Sequence, residues 1–431
     1  LAFAPAVASA AVALPVQGPV SAARPMAWPK DAGVAPSVFQ PSHLDTQPLE
    51  RRVVSPPSPA PKAWKRTRAA LRSAVANKPL RPRPAVERMA PYHPPTGNRA
   101  TNLRLDFNEN TVGCSPQVIQ RLVHRLTRES LTVYPDYTRV RRTLSEFFQV
   151  PGERMLLTNG TDEAIQVLVN TYVDDNDDVI ILKPSYAMYR FYCEVAGASI
   201  REIEYRPGTL AFPLQELLAA IQPDTRLILI SNPNNPTGAG VDLDGITRIL
   251  KKAPHAAVLI DEAYYEFSGV TALKLINEYP NLFVSRTFSK VYGMAAMRVG
   301  CMFSKAENVA WMKKAQSPYS VNSLAVLAAR AAIRDTEYIS EYVGEVLAAR
   351  ELLYVGFEKL GIPYIKSQGN FVLFAAGDRA VEIRDTLREK GILVRDRSYE
   401  IPGCVRVTVG TREQMRKFLT ELEAVWKRPA K

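Results

Sequence analysis

Leu227-Ile228-Leu229-Ile230-Ser231-Asn232-Pro233-Asn234-Asn235-Pro236-Thr237-Gly238 sets four consecutive aliphatic residues directly before a polar, proline-broken turn. An apolar run of strand length with no polar alternation is what a strand buried on both faces of a parallel sheet requires. Val179-Ile180-Ile181-Leu182, Val258-Leu259-Ile260 and Leu282-Phe283-Val284 are runs of the same kind. Amphipathic stretches, such as residues 164–172 and 243–252, lie between them. Strands alternating with helices predict an α/β domain with a mostly parallel central sheet flanked by helices. From residue 325 the texture shifts. An Ala-rich helical stretch (325–333) precedes apolar runs at 371–374, 392–394 and 405–409 and a last helical stretch at 412–426. This predicts a second, smaller α+β domain at the C-terminus.

The 431 residues allow two or three domains, and 46% hydrophobic residues allow a large core. No apolar run reaches the ~18–20 residues of a membrane helix. Four cysteines (Cys114, Cys193, Cys301, Cys404) lie far apart without CxxC spacing. That pattern excludes a disulfide scaffold or structural zinc site and fits a reducing, cytoplasmic setting. The four histidines (His43, His93, His124, His255) show no helical ligand spacing, so no metal site is expected.

The net charge of +12 is unevenly spread: residues 1–88 hold 13 Lys/Arg, 4 Asp/Glu and 15 of the 33 prolines. Proline at that density blocks helices and ladders, so this Pro/Ala/Arg-rich extension reads as disordered, with a short helix near residues 64–76. Three readings compete for it: a dispensable or upstream stretch, with Met89 as the true start; a targeting peptide; or a basic arm. The first is preferred. The apolar start lacks a positive leading region, and no nucleic-acid motif supports the third.

In open α/β sheets, ligands sit beyond the carboxyl ends of the strands. The strand at 155–158 is followed by Asn159-Gly160-Thr161-Asp162-Glu163. Asn235 follows the second strand, Asp261-Glu262-Ala263-Tyr264 the third, and Arg286-Thr287-Phe288-Ser289-Lys290 the fourth, with Arg298 beyond. A desolvated Lys after a buried strand suits Schiff-base chemistry. Pyridoxal phosphate needs such a Lys, here Lys290. It also needs an acid for its ring nitrogen, here Asp261. Its phosphate needs a helix start and a cation, which Gly160, Thr161, Asp162 and Arg298 could supply, with hydroxyls from Thr287 and Ser289. Asn235 and Tyr264 could bond its phenolic oxygen, and Tyr186 could lie on its ring face. Each residue alone has a plainer reading, as a helix cap, a chance Ser-Lys pair or a turn. The ordered combination carries the weight.

These motifs resemble the fold-type I, pyridoxal-phosphate-dependent aminotransferases over residues 89–428. Asn235-Pro236-Thr237-Gly238, Asp261-Glu262-Ala263-Tyr264 and Ser289-Lys290 with Arg298 match that family in order and spacing. The resemblance implies that Lys290 bonds the cofactor, Asp261 pairs with the ring nitrogen and Arg298 holds the phosphate. Within it, the chain is most similar to the histidinol-phosphate aminotransferases. The similarity rests on Met89-Ala90-Pro91-Tyr92, Leu105-Asp106-Phe107-Asn108-Glu109-Asn110, Tyr134-Pro135-Asp136, Pro184-Ser185-Tyr186-Ala187-Met188-Tyr189, Pro318-Tyr319-Ser320-Val321-Asn322, Val394-Arg395-Asp396 and Val405-Arg406-Val407-Thr408-Val409-Gly410. The extension 1–88 and a short loop between Arg395 and Arg406 depart from that pattern.

The implied reaction takes L-histidinol phosphate and 2-oxoglutarate to imidazole-acetol phosphate and L-glutamate, by ping-pong kinetics through Lys290. Implied substrate contacts are Arg406 to an α-carboxylate, and Arg395 with Tyr92 and Tyr134 of a partner to the substrate phosphate; Asn108 and Asn235 complete the set. A borrowed Tyr implies a homodimer. The expected organisation is an N-terminal arm (89–127) belonging to the small domain, a large cofactor domain (128–324) and a small domain (325–431). Rival readings are an aromatic or other transaminase, a threonine-phosphate decarboxylase-like enzyme, and an aminotransferase-like transcriptional regulator. The last needs an ordered DNA-binding domain in front, which the Pro-rich extension does not resemble. No nucleic-acid or membrane partner is expected.

Overall fold

The computed structural model describes residues 80–91 and 99–428. Most of the N-terminal extension, the helix expected near 64–76 and Tyr92 lie outside the described residues. Within the stretch read as unstructured, Pro84–Glu87 forms one helical turn, with Ala85 buried and the Arg83 guanidinium donating to the Val195 carbonyl. Ordered chain therefore begins before the expected boundary at residue 88. Proline at the first helical position suits that turn, because its missing N–H would be unbonded there anyway.

Thirteen strands are described: β1 Leu103–Arg104, β2 Met155–Thr158, β3 Asp178–Lys183, β4 Ser199–Glu204, β5 Thr225–Ser231, β6 Ala257–Asp261, β7 Leu282–Thr287, β8 Gly300–Phe303, β9 Tyr364–Ile365, β10 Phe371–Ala375, β11 Ile392–Leu393, β12 Arg395–Asp396 and β13 Cys404–Thr408. Seven form one sheet in the order β2-β8-β7-β6-β5-β3-β4. β4, β3, β5, β6 and β7 run parallel, and β8 is antiparallel to both of its neighbours. Every apolar run read as a strand is one. β4 alternates Ile with charged residues because it is an edge strand, half solvated, and so escaped the search for continuous apolar runs.

Strand alternation divides the core in two. Val179, Ile181, Leu227, Leu229, Leu259 and Phe283 pack on one face of the sheet, with the helices Gly160–Tyr172 and Ala187–Ala196. Ile180, Leu182, Ile228, Ile230, Val258, Ile260 and Val284 face the other side, with the helix Leu243–Lys252. A second, antiparallel sheet, β12-β13-β10-β9, packs its aromatic residues against the helices Thr336–Leu360 and Arg412–Trp426 through Phe357, Phe374 and Phe418. β1 pairs in parallel with β11, joining the N-terminal arm to this C-terminal part. The domain boundary expected at 324/325 falls inside the helix Ser323–Ala332.

The same alternation sends Glu262 and Arg286 to the face opposite Asp261. They form an ion pair of 2.7 Å, with side chains 0% and 5% exposed. Glu262 also accepts the Thr271 hydroxyl and the Ala272 N–H, and Arg286 stacks on Tyr265 at 3.5 Å. Nearby, burial pushes the Glu266 carboxyl up to about 7, against the pull of Arg286.

Two predictions follow from this arrangement. Arg286→Met strands Glu262 as a buried charge and is expected to cost about 3–5 kcal/mol in urea unfolding, more than Glu262→Gln/Arg286→Met together. Glu266, raised in the folded state, favours its protonated form. Stability is therefore lost as pH climbs from about 4.5 through 7. Glu266→Gln should flatten that slope, which amounts to up to about 3 kcal/mol, in unfolding measured across pH 4–8.

Candidate active site

The parallel strands end on one edge, and their polar tips enclose a cavity of about 170 Å³. Ten residues singled out in the sequence line it: Thr161, Asp162, Tyr186, Asn235, Asp261, Tyr264, Thr287, Ser289, Lys290 and Arg298. Phe107, Glu109, Ser231, Ala263 and Ala295 complete the wall.

Asp261 closes β6 on the face shared with Ser285 and Thr287 of β7. It accepts hydrogen bonds from the Ser285 hydroxyl at 2.7 Å and from Tyr189 at 2.8 Å. Both donors are neutral. Burial pushes its carboxyl up, opposed by those two bonds. An acid in that setting calls for a cationic partner on its open side. Burial and the Asp261 charge push the Tyr189 hydroxyl up, which keeps it protonated and donating.

Gly160 opens the helix Gly160–Tyr172 at φ +74°, and a Cβ there would lie 2.4 Å from the Arg298 guanidinium. Only glycine lets the cation approach the helix start so closely. Arg298, itself left-handed at φ 53°, pairs with Asp162 at 3.0 Å, and Asp162 accepts the Tyr186 hydroxyl at 2.7 Å. Helix N–H groups, a guanidinium and the hydroxyls of Thr287 and Ser289 thus converge as an anion cradle.

Lys290 donates to the Phe107 carbonyl at 3.0 Å, with Nζ 5.8 Å from the Tyr264 ring centre. The adjoining carbonyl, that of Asp106, accepts Arg406 at 2.5 Å, and the other arm of Arg406 reaches Asn235. Arg406 is 4% exposed, its Nε is unpartnered, and it pairs with no carboxylate among the described residues. Burial first, then the nearby charge of Arg397, pulls it down to about 10. Arg395 lies opposite Arg406 in the β12–β13 pairing, its guanidinium 5.6 Å from the Phe107 ring.

One expected contact falls elsewhere. Asn108 is buried. Its amide donates to Tyr264 at 3.0 Å and its Oδ1 accepts the Thr408 hydroxyl, so it braces the cavity wall and does not line it. Tyr134, expected in a partner's site, is 74% exposed and stacked on Tyr319 at 4.3 Å, outside the lining of its own subunit's cavity. Sequence reasoning missed Phe107, Glu109, Tyr189 and Ser285 as site residues. Their signals were positional: Ser285 shares a strand face with Thr287, Tyr189 follows Tyr186 by one helical turn, and Phe107 and Glu109 flank Asn108. Burial pushes the Glu109 carboxyl up, but the hydrogen bonds and charge of Arg99, then Arg104 and Lys290, hold it below the usual range.

The family model for class I and II aminotransferases matches residues 100–422. The chain belongs to the class I and II aminotransferases. An aminotransferase relative, the histidinol-phosphate aminotransferase of Symbiobacterium thermophilum, is 36% identical over 79% of this chain and 98% of its own. The solved histidinol-phosphate aminotransferase of Clostridium acetobutylicum superposes with a TM-score of 0.69 at 25% identity, over 75% of this chain and 98% of its own. The Sinorhizobium meliloti histidinol-phosphate aminotransferase, solved with pyridoxal 5′-phosphate, gives a TM-score of 0.73 at 21% identity, over 82% and 99%, and shares the fold. The aminotransferase fold is thus the α/β architecture expected, with its smaller antiparallel C-terminal sheet.

Arg406→Met removes a desolvated, unpaired charge. It is expected to leave the thermal midpoint in anion-free buffer unchanged or higher. Succinate at about 100 times its Kd should stabilise the wild type by about 2.7 kcal/mol, and this gain should vanish in the variant. A large drop in the variant's anion-free midpoint would make Arg406 a structural residue.

Proposed function

We propose that the chain is a pyridoxal-phosphate-dependent aminotransferase of histidine biosynthesis, converting L-histidinol phosphate and 2-oxoglutarate to imidazole-acetol phosphate and L-glutamate. The observation that carries this reading is a cavity lined by Lys290, Asp261 and Arg298, with the buried Arg406, in no ion pair among the described residues, bonded to Asn235 of its wall. The cavity's donors fit the cofactor. An anion cradle lies at the Gly160 helix start, the Asp261 carboxyl is hydrogen-bonded only by the neutral hydroxyls of Ser285 and Tyr189, and Lys290 stands in the cavity wall.

Bound there, pyridoxal phosphate supplies an electron sink for the substrate carbon that carries the amine. Asp261 would keep the proton on the ring nitrogen. Thr161, Thr287, Ser289 and Arg298 would hold the phosphate, and Tyr264 and Asn235 would bond the phenolic oxygen. Tyr186, which ties the Asp162 carboxylate, would face the ring. The Lys290 amine would take the proton from the substrate carbon. Arg406 grips the α-carboxylate of glutamate or 2-oxoglutarate, where a planar guanidinium suits a bidentate acid. Arg395 serves the phosphate of the phosphorylated amine.

The enzyme works as a homodimer on this reading, with the partner subunit's Tyr134 reaching the substrate phosphate. Support comes from the exposed apolar side chains of the segment that precedes Tyr134: Ile119, Val123, Leu131 and Val133. No helix among the described residues is long and apolar enough to cross a membrane, and all four cysteines are free. A cytoplasmic setting suits free thiols.

Cofactor-loaded protein is expected to show a visible absorption band that changes on adding histidinol phosphate, with glutamate forming once 2-oxoglutarate follows. A band that answers glutamate alone would remove the substrate assignment. Lys290→Ala should lower turnover by about 10²–10⁴. It should also abolish the cofactor-modified peptide found by mass spectrometry after borohydride reduction.

A further inference from the structure

Asn108 stands behind the cavity wall, and the hydrogen bonds around it run in one direction. Its backbone N–H donates to Thr408 Oγ1 at 2.9 Å. The Thr408 hydroxyl in turn donates to Asn108 Oδ1 at 3.1 Å. An amide carries its donors on one atom and its acceptor on the other, so a bond that fixes one end fixes both. With Oδ1 held as the acceptor, Nδ2 faces Tyr264 and donates to the phenol oxygen at 3.0 Å. Tyr264 therefore accepts from Asn108, and its own proton points elsewhere.

The surroundings hold this arrangement in place. Asn108, Thr408 and Tyr264 are all buried. Asn370 donates to the Asn108 carbonyl at 3.1 Å and steadies the main chain there. That main chain is left-handed at φ 56°, a conformation that Asn and Asp tolerate and bulkier side chains resist. The Tyr264 ring meets Phe371 edge-on at 5.0 Å and lines the cavity together with Asn235 and Lys290. Were the Asn108 amide turned over, Oδ1 would face Tyr264 and take its proton. Tyr264 would then have no proton to offer the cavity.

We propose that Asn108 and Thr408 are positioning residues that set the direction of the Tyr264 proton and keep it for the phenolic oxygen of bound pyridoxal phosphate. This rests on the cavity holding that cofactor, as proposed for the chain's function. It does not depend on which amine is the substrate. A donor on the phenolic oxygen favours its anionic form and so lowers the pH at which the cofactor gives up its neighbouring proton. Thr408 ends β13, Asn108 follows β1 and Tyr264 follows β6, so the bonds run from the small antiparallel sheet to the cofactor cavity.

The test is a pH titration of the visible absorbance of cofactor-loaded, full-length protein. Tyr264→Phe removes the proton and should move the midpoint up by about 1–2 pH units, the size of one hydrogen bond to a charged group. Asn108→Asp keeps the volume and the main-chain conformation but, once ionised, offers Tyr264 only an acceptor. It should move the midpoint up to a similar extent, and combining it with Tyr264→Phe should add nothing, because both act on one proton. Shifts that add in the double variant would mean that the new carboxylate acts by its charge, and would overturn the proposal. Thr408→Val brings no charge and frees the amide to turn; it should also raise the midpoint, whereas Thr408→Ser should keep the wild-type value. A shift in Tyr264→Phe that neither Asn108→Asp nor Thr408→Val reproduces overturns the proposal and leaves the cofactor reading intact. No shift in Tyr264→Phe removes the contact with the phenolic oxygen, and the proposal with it.

Discussion

Asp261 and Glu262 are neighbours at the end of one strand, and the two-residue period of a strand sends them to opposite sides of the sheet. Glu262 goes under it and is answered by Arg286, Thr271 and a backbone N–H. Asp261 goes above it and meets only hydroxyl donors. One acid is completed by the protein; the other is left for something that is not protein. The same period sets Ser285 and Thr287 facing the cavity and Arg286 behind it. A slip of one residue in the β6–β7 register would exchange the two sets.

Unanswered charge is how this molecule marks its binding surfaces. Several of its ionic groups are paired locally: Arg201 with Asp178, and Arg99 with both Asp106 and Glu109. Against that background the exceptions stand out. Asp261 and Arg406 are buried at the cavity, and neither forms an ion pair among the described residues. Burying a charge unpaired is expensive. The cavity's two exceptions are opposite in sign to a protonated ring nitrogen and a carboxylate, the groups that the proposed function brings to them.

The sheet was legible because strands buried on both faces leave continuous aliphatic runs, and the cavity was legible because its residues follow those runs directly. Asp261, Lys290, Asn235 and Thr161 each sit within a few residues of a strand end or helix start, so order along the chain fixed their place in space. Asn108 was legible as a motif but not in its role. Nothing in one dimension says that Thr408, 300 residues away, would hold its side chain off the cavity. β4 was hidden by its position, since an edge strand keeps its polar residues.

Asp106 and Phe107 lend their carbonyl oxygens to Arg406 and Lys290 respectively. The guanidinium proposed to hold a substrate's acid and the amine proposed to work on its carbon are thus tethered to two successive links of one backbone. That segment is anchored at Asn108 and Asn110, to Tyr264, Thr408 and the Val291 carbonyl. Any change that shifts this short stretch of main chain therefore displaces the footing of the guanidinium and of the amine together.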